Sequence, residues 1–98
     1  MKKISKIILA DDHDIVKFGL ETILRQNILK PEILKVSSTN ELRNQLLDHK
    51  NVDLVILDIK MPGGNTVDIV KDIKSCYEDI KILMYSAHNE SYYALKYI

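Results

Sequence analysis

The sequence predicts an α/β fold, in which a doubly wound parallel sheet carries helices on both faces. Four short runs rich in Ile, Val and Leu occur along the 98 residues, and segments with helical spacing follow them. The runs are apolar at nearly every position, as expected of strands that are covered on both sides. Because right-handed crossovers join successive parallel strands, the intervening helices pack on the two faces of the sheet.

The first strand and helix are predicted from residues 7–10 and from the segment that begins at Asp14. The run Ile-Ile-Leu-Ala is short, largely β-branched and uniformly apolar. The helix after it is indicated by apolar residues at positions i, i+4, i+7 and i+8, which are Val16, Leu20, Ile23 and Leu24. Pro31 prevents this helix from continuing, because proline lacks the backbone N–H that an interior helical position needs.

The second strand and helix are predicted from residues 33–36 and from the segment after Ser38. Ser38 and Glu41 have the spacing of a capping box, in which the hydroxyl and the carboxylate satisfy backbone N–H groups at a helix start. The helix they open has three leucines on its predicted core face, which are Leu42, Leu46 and Leu47.

The third strand is predicted over residues 54–57, the most strongly β-forming run in the chain. The sequence Met-Pro-Gly-Gly at residues 61–64 forces a turn after it. Asn65 or Thr66 can cap the next helix, whose apolar positions are Val67, Val70, Ile73 and Tyr77.

A fourth strand is predicted over residues 82–85, and residues 90–98 have the pattern of the start of a fourth helix. No linker, internal repeat or low-complexity stretch interrupts the alternation. Residues 1–98 are therefore predicted to form one domain.

The composition argues against several classes of protein. Lys plus Arg and Asp plus Glu number 14 each, so the formal charge is zero and no basic face for nucleic acid is indicated. The single cysteine, Cys76, favours a reducing compartment. The apolar run near the N-terminus is too short for a signal peptide or a membrane span, so a cytoplasmic location is expected.

Acidic side chains follow the predicted strands at the same edge of the sheet. Asp11 and Asp12 come directly after the first strand, Asp58 ends the third and Ser86 follows the fourth. In open parallel sheets, ligands bind beyond the carboxyl ends of the strands. Neighbouring carboxylates repel one another unless a cation joins them, and Mg²⁺ prefers carboxylate, water and phosphate oxygens. The pattern therefore predicts a site for Mg²⁺ and a phosphoryl group, with Asp58 as the nucleophile that forms an acyl phosphate.

Three motifs resemble those of the receiver domain of two-component response regulators. They are ILADDHD at residues 8–14, VILDIKMPGG at residues 55–64 and ILMYSAH at residues 82–88. The DDH start is similar to the branch whose members usually carry a C-terminal helix-turn-helix DNA-binding domain. The resemblance implies a flavodoxin-like sheet with strand order 2-1-3-4-5.

The resemblance also implies a role for each residue of the motifs. Asp58 is the expected phospho-acceptor, and Asp11 and Asp12 are the acidic pair that places Mg²⁺, with Asp12 the more direct ligand. The Lys60 backbone carbonyl is expected to complete the protein's share of the metal ligands. Ser86 matches the hydroxyl residue that hydrogen-bonds the phosphoryl group and moves on activation.

The chain departs from the family pattern in two respects. Thr66 stands where members commonly have Gly, and the chain ends at Ile98, before the fifth strand, its terminal Lys, its aromatic switch residue and the fifth helix. We therefore expect an incomplete domain with strand order 2-1-3-4, in which phosphorylation is slow, weakly coupled to a switch, or absent. An exposed fourth strand and open apolar surface around the first strand would then favour a homodimer or a domain-exchanged dimer.

The function implied is a signalling switch rather than an enzyme: Asp58 accepts a phosphoryl group from a sensor histidine kinase, and an output domain absent from this chain regulates transcription through DNA. One alternative is a Mg²⁺-dependent aspartyl-phosphate hydrolase, although such enzymes generally need a second acid where this chain has Lys60. Another is an interaction module that only dimerises or sequesters a partner. No Gly-x-Gly-x-x-Gly follows a strand, which excludes a dinucleotide-binding domain.

The histidines and tyrosines have plainer interpretations. His13 and His88 are expected to be exposed loop residues, with a place at the edge of the site as the alternative. Tyr92, Tyr93 and Tyr97 fit either a partner-binding surface or the packing of a fourth helix.

Overall fold

The computed structural model describes residues 3–49, 51–64, 66–86 and 94–97. Its helices and strands are β1 (Lys6–Ala10), α1 (Asp14–Asn27), β2 (Glu32–Val36), α2 (Thr39–Asp48), β3 (Leu54–Asp58), α3 (Thr66–Cys76), β4 (Lys81–Ser86) and β5 (Ala94–Tyr97).

The strands form one sheet in the order β2-β1-β3-β4-β5. The first four strands along the chain are parallel, which confirms the predicted α/β class and the order 2-1-3-4. Ile8 pairs in register with Leu34 on one side and with Val55 on the other. β1 and β3 are therefore interior strands, and their carboxyl ends meet at one edge.

The strand β5 corrects the prediction of a fourth helix over residues 90–98. Ala94–Tyr97 pair with β4 in antiparallel orientation, with Leu83 opposite Tyr97 and Ser86 opposite Ala94. The rest of the predicted helix lies outside the described residues. The expectation that β4 would be an exposed edge is wrong from Leu83 to Ser86, because the backbone groups on that side pair with β5.

Helices cover both faces of the sheet, as predicted. The larger core cluster includes Ile8, Val55 and Leu57 of the sheet and packs under α2 and α3. The smaller one contains Ile7, Leu9, Leu54 and Ile56, against which Leu20 and Leu24 of α1 pack. Ile7 and Leu9 are fully buried, so the expected opening of apolar surface around the first strand is wrong.

On each of the helices α1, α2 and α3, one residue of the predicted core face is exposed instead. Leu46 is buried but Leu47 is 73% exposed, and Ile23 and Val67 also lie on the outer surface. Successive residues of a helix point about 100° apart, so two adjacent apolar residues rarely face the core together. The start of α2 is confirmed, since the Glu41 N–H donates to Ser38 Oγ at 3.2 Å. No helix in the described part of the chain is long and apolar enough to cross a membrane.

Candidate functional site

The carboxyl ends of β1 and β3 bring four polar side chains together. Asp11, Asp12 and His13 follow β1, and Asp58 is the last residue of β3. One ligand atom from each of these four residues lies within 4.8 Å of every other. The three carboxylates that the sequence predicted as a site therefore form a compact cluster at the expected edge of the sheet.

The β1–α1 loop holds its two acids in different environments. The Asp11 N–H donates to the Val36 carbonyl at 3.1 Å, which continues the pairing of β1 with β2. The Asp11 side chain is fully buried, whereas Asp12 is exposed. The His13 N–H donates to Asp11 Oδ1 at 2.8 Å and closes the turn into α1. Asp11 is thus a fixed acid, and Asp12 is the one that solvent reaches.

Lys17, a buried lysine that was not predicted from the sequence, makes contacts beside this loop. Lys17 Nζ donates to Ser37 Oγ at 2.7 Å and to the Val36 carbonyl at 3.4 Å. The same ammonium lies 3.5 Å from Asp14 Oδ1. A buried ammonium needs such acceptors to offset its lost hydration. Lys17 therefore ties the first turn of α1 to the end of β2.

The backbone after Asp58 is held by three hydrogen bonds. The Lys60 N–H donates to Asp58 Oδ1 at 3.2 Å, and the Ile59 N–H donates to the Tyr85 carbonyl at 2.8 Å. Thr66, one of the two predicted caps of α3, instead lies within the helix, and its hydroxyl donates to the Ile59 carbonyl at 2.7 Å. With Asp58 fully buried, these contacts fix its carboxylate at the end of a rigid strand.

The His13 ring lies against both acids of the loop. Its Nδ1 lies 2.9 Å from Asp11 Oδ1 and 3.1 Å from Asp12 Oδ1. Carboxylates only accept hydrogen bonds, so this nitrogen is the donor. The hydrogen bond to Asp11, followed by the charge of Asp12, raises the pKa of His13 above its ordinary value of 6.5.

Asp11 remains ionised despite its burial. Desolvation is the largest single influence and opposes ionisation, but hydrogen bonds from the Tyr85 hydroxyl and from the His13 backbone and ring outweigh it. Together they hold the pKa of Asp11 below its usual range. Burial, followed by the hydrogen bond to Asp11, raises the pKa of Tyr85, so the phenol stays a donor. Both oxygens of Asp11 accept hydrogen bonds, Oδ1 from His13 and Oδ2 from Tyr85.

The structure describes only part of the other predicted site residues. Ser86 is the last residue of β4, so its backbone lies at the same edge, but its side chain is outside the described residues. The Lys60 side chain is exposed, and the role of its carbonyl stays a prediction. His88 and Asn65 lie outside the described residues.

His13 is exposed, as expected, and its ring contacts both neighbouring acids, which places it at the edge of the site, the alternative considered for it. The contact of Tyr85 with the site was not predicted. Tyr85 was assigned only to a strand, although it pairs in register with Asp58. Its place beside the acidic cluster depends on the pairing of β4 with β3, which the local sequence does not reveal.

Comparison with known proteins identifies a family for nearly the whole chain. The family described as "Response regulator receiver domain" matches residues 7–98. This match includes every residue of the acidic cluster.

Similar proteins of known sequence and structure agree with that match. The Fimbriae Z protein of Salmonella typhimurium is 36% identical over 92 residues, covering 94% of this chain and 43% of the relative. The crystal structure of the non-phosphorylated receiver domain of the stress response regulator RcsB from Escherichia coli has a TM-score of 0.76 at 28% identity, covering 88% of this chain and 67% of that one.

A further similar structure contains RcsB from Salmonella enterica serovar Typhimurium, bound to promoter rprA in the presence of the phosphomimetic BeF3⁻. It has a TM-score of 0.78 at 28% identity and covers 90% of this chain and 50% of that one. The chain spans less than half the length of the curated relatives it matches, 43% for Fimbriae Z and 37% for the transcriptional regulatory protein DegU of Brevibacillus brevis.

Proposed function

The chain belongs to the response regulator receiver domain family, and we propose that it is a phosphoacceptor switch in which Asp58 receives a phosphoryl group from a sensor histidine kinase. The observation that carries this proposal is the placement of Asp58, fully buried at the end of β3, within 4.8 Å of two further carboxylates. Like charges this close disfavour one another's ionisation, and a bound cation relieves that repulsion.

The donor set fits Mg²⁺. Asp11, Asp12 and Asp58 offer carboxylate oxygens, the ligand type that this hard ion prefers, and exposed Asp12 leaves room for water. These three side chains, with the Lys60 carbonyl, would hold the ion. When bound, Mg²⁺ supplies positive charge to the oxygens of the transferring phosphoryl group.

Asp58 is suited to act as the nucleophile. One of its oxygens forms a bond to phosphorus while the bond from phosphorus to the imidazole nitrogen of the kinase's phosphohistidine breaks. The nitrogen keeps that electron pair, and Asp58 becomes an acyl phosphate. The chain contributes by positioning: the strand fixes the carboxylate and the Lys60 N–H orients Oδ1. The resemblance to the family implies that the Ser86 hydroxyl would donate to a phosphoryl oxygen. Positioning and charge are the main requirements of phosphoryl transfer.

The output is proposed from the relatives. RcsB is described bound to a promoter, and DegU is a transcriptional regulatory protein. We assign this chain the same kind of output, regulation of transcription in the cytoplasm through a DNA-binding domain outside residues 1–98. The chain then acts as a switch, and any loss of the phosphoryl group by hydrolysis resets that switch.

The position of Lys60 argues against the hydrolase alternative. That chemistry generally uses a second acid two residues after the nucleophile, where it protonates the leaving group. Here the residue is an exposed lysine, so the carboxyl group that those enzymes use is missing.

Acetyl phosphate, a small phosphodonor, tests the proposal directly. We expect incubation of the chain with acetyl phosphate and Mg²⁺ to add one phosphoryl group, measured by intact-protein mass spectrometry. Asp58→Asn should abolish the adduct, whereas Asp68→Asn, at an exposed position of α3, should retain it. The proposal is wrong if the unchanged chain gains no adduct or if Asp58→Asn gains the same one.

A further inference from the structure

The Tyr85 hydroxyl reaches across the end of β3 to a carboxylate on another strand. Tyr85 lies on β4, and its hydroxyl donates to Asp11 Oδ2 beyond the end of β1. Since β3 lies between these two strands, the Tyr85 and Asp11 side chains together bridge two interstrand distances of about 4.8 Å each. Their hydrogen bond therefore connects the two strands on either side of β3, the strand that ends at Asp58.

Strand alternation explains why these side chains meet. Leu9, Ile56 and Leu83 belong to the smaller core cluster, on the α1 face of the sheet. Residues two positions further along a strand point to the same face. Asp11, Asp58 and Tyr85 stand two positions after these three, so all three project from one face at one edge. Tyr85 also packs against that cluster, which anchors the ring.

We propose that Tyr85 is a positioning residue of the metal site, which orients Asp11 through the hydrogen bond to Oδ2 and so sets the affinity of the cluster for Mg²⁺. This inference rests on the proposed function, because it assigns Tyr85 a part in the same site. The two oxygens of Asp11 are held from opposite sides, by His13 at Oδ1 and by Tyr85 at Oδ2. A carboxylate fixed in this way is presented to a cation in one orientation.

The charge pattern supports this role. Asp11 is fully buried beside two other carboxylates, a setting that favours the protonated acid. The phenol donor stabilises the ionised form, which is the form that binds Mg²⁺. Partners that orient metal-binding residues typically change metal affinity 10- to 100-fold, about the scale expected here.

The test uses Tyr85→Phe, which removes the hydroxyl and keeps the ring. We expect calorimetric titration of the full chain with Mg²⁺ to give a dissociation constant raised about tenfold. Tyr77→Phe is the matched control, because Tyr77 is a half-buried tyrosine packed against the other core cluster, and its affinity should be unchanged. An unchanged affinity in Tyr85→Phe overturns the inference.

A double-mutant cycle separates positioning from a general effect on folding. If Tyr85 acts through Asp11, then adding Tyr85→Phe to Asp11→Asn should cause little further loss of Mg²⁺ affinity. Equal losses in both backgrounds would show that Tyr85 acts elsewhere and would contradict the inference.

The unchanged chain provides a measurement that depends on no variant. Mg²⁺ binding should change the near-ultraviolet absorption of Tyr85, because the Tyr85 hydroxyl donates to Asp11 and the cation changes the electric field around that carboxylate. Mg²⁺ binding without a tyrosine difference spectrum overturns this inference alone. A chain that binds no Mg²⁺ overturns it together with the metal site of the proposed function.

Discussion

Gly63 lies so close to Thr39 that a methyl group on Gly63 would come within 2.5 Å of Thr39 Oγ1. Its φ of +104° belongs to the left-handed region, which favours glycine. The Thr39 N–H also donates to the Pro62 carbonyl at 3.0 Å. The turn that follows Asp58 is therefore packed directly on the start of α2.

Substitution of this glycine should destabilise the fold. We predict that Gly63→Ala lowers the free energy of unfolding by about 1–3 kcal/mol, because it combines a steric clash with an unfavourable φ. Gly19→Ala is the matched control, at a position in α1 where a methyl group meets no described atom within 4 Å. It should raise stability by about 0.5–1 kcal/mol. Urea denaturation of both variants measures the difference, and equal effects would contradict the packing described here.

Asp53 should stabilise the opposite edge of the sheet. Its buried carboxylate accepts the N–H groups of Ser5 and Lys6 at 2.9 and 3.0 Å. Asp53→Ala removes the acceptor for both amides, so we predict a loss of about 1–3 kcal/mol in unfolding free energy. Asp79→Ala, at an exposed position, should change stability by less than about 0.5 kcal/mol. Thermal melts compare the two variants, and similar melting temperatures would refute the prediction.

The titration of His13 should report the state of the acidic cluster. Without metal, the hydrogen bond to Asp11 raises the pKa of His13 above 6.5. Protonation then favours the folded state, so this contribution to stability is complete below pH 6.5 and is lost as pH rises through the folded-state pKa. Nuclear magnetic resonance titration should show a raised pKa for the His13 ring, identified as the histidine signal that vanishes in His13→Gln. A pKa at or below 6.5 would contradict the contact.

Self-association remains a prediction from the sequence. The structure removes both of its original grounds, since β5 pairs with β4 and the apolar residues of β1 are buried, but it shows a different one: Ile15 and Phe18 of α1 are 84% and 68% exposed. Adjacent exposed apolar residues favour association. Light scattering should show a dimer that Phe18→Ser weakens, while Leu47→Ser, at an exposed position of α2, leaves it intact. A well-dispersed monomer at high concentration would rule the dimer out.

The sequence predicted the α/β class and the acidic cluster because both follow from local patterns, whereas the strand order was implied by the resemblance to the receiver family. A run such as residues 54–57 is a buried strand by composition, and parallel strands necessarily present their terminal acids at one edge. Residues 94–97 are different, because four residues fit a helix or a strand equally well. Pairing with β4, a contact remote in sequence, decided that they form β5.

Side-chain contacts between distant strands likewise could not be predicted from local sequence patterns. The hydrogen bond from Tyr85 to Asp11 joins residues 74 positions apart and depends on the register of three strands. The burial of Lys17 depends on the end of β2 lying beside α1, where Ser37 and Val36 provide acceptors. Composition and spacing indicate which groups exist, but register determines which of them meet.

The central claim is that Asp58 carries the phosphoryl group, and locating the modified atom tests it most directly. Borohydride reduces an acyl phosphate to an alcohol and leaves a free carboxylate unchanged. After incubation with acetyl phosphate and Mg²⁺, followed by borohydride, tandem mass spectrometry should find Asp58 converted to homoserine while Asp11 and Asp12 remain aspartate. Reduction at Asp11 or Asp12, or an unreduced Asp58 in a chain that carries the phosphoryl mass, would contradict the account.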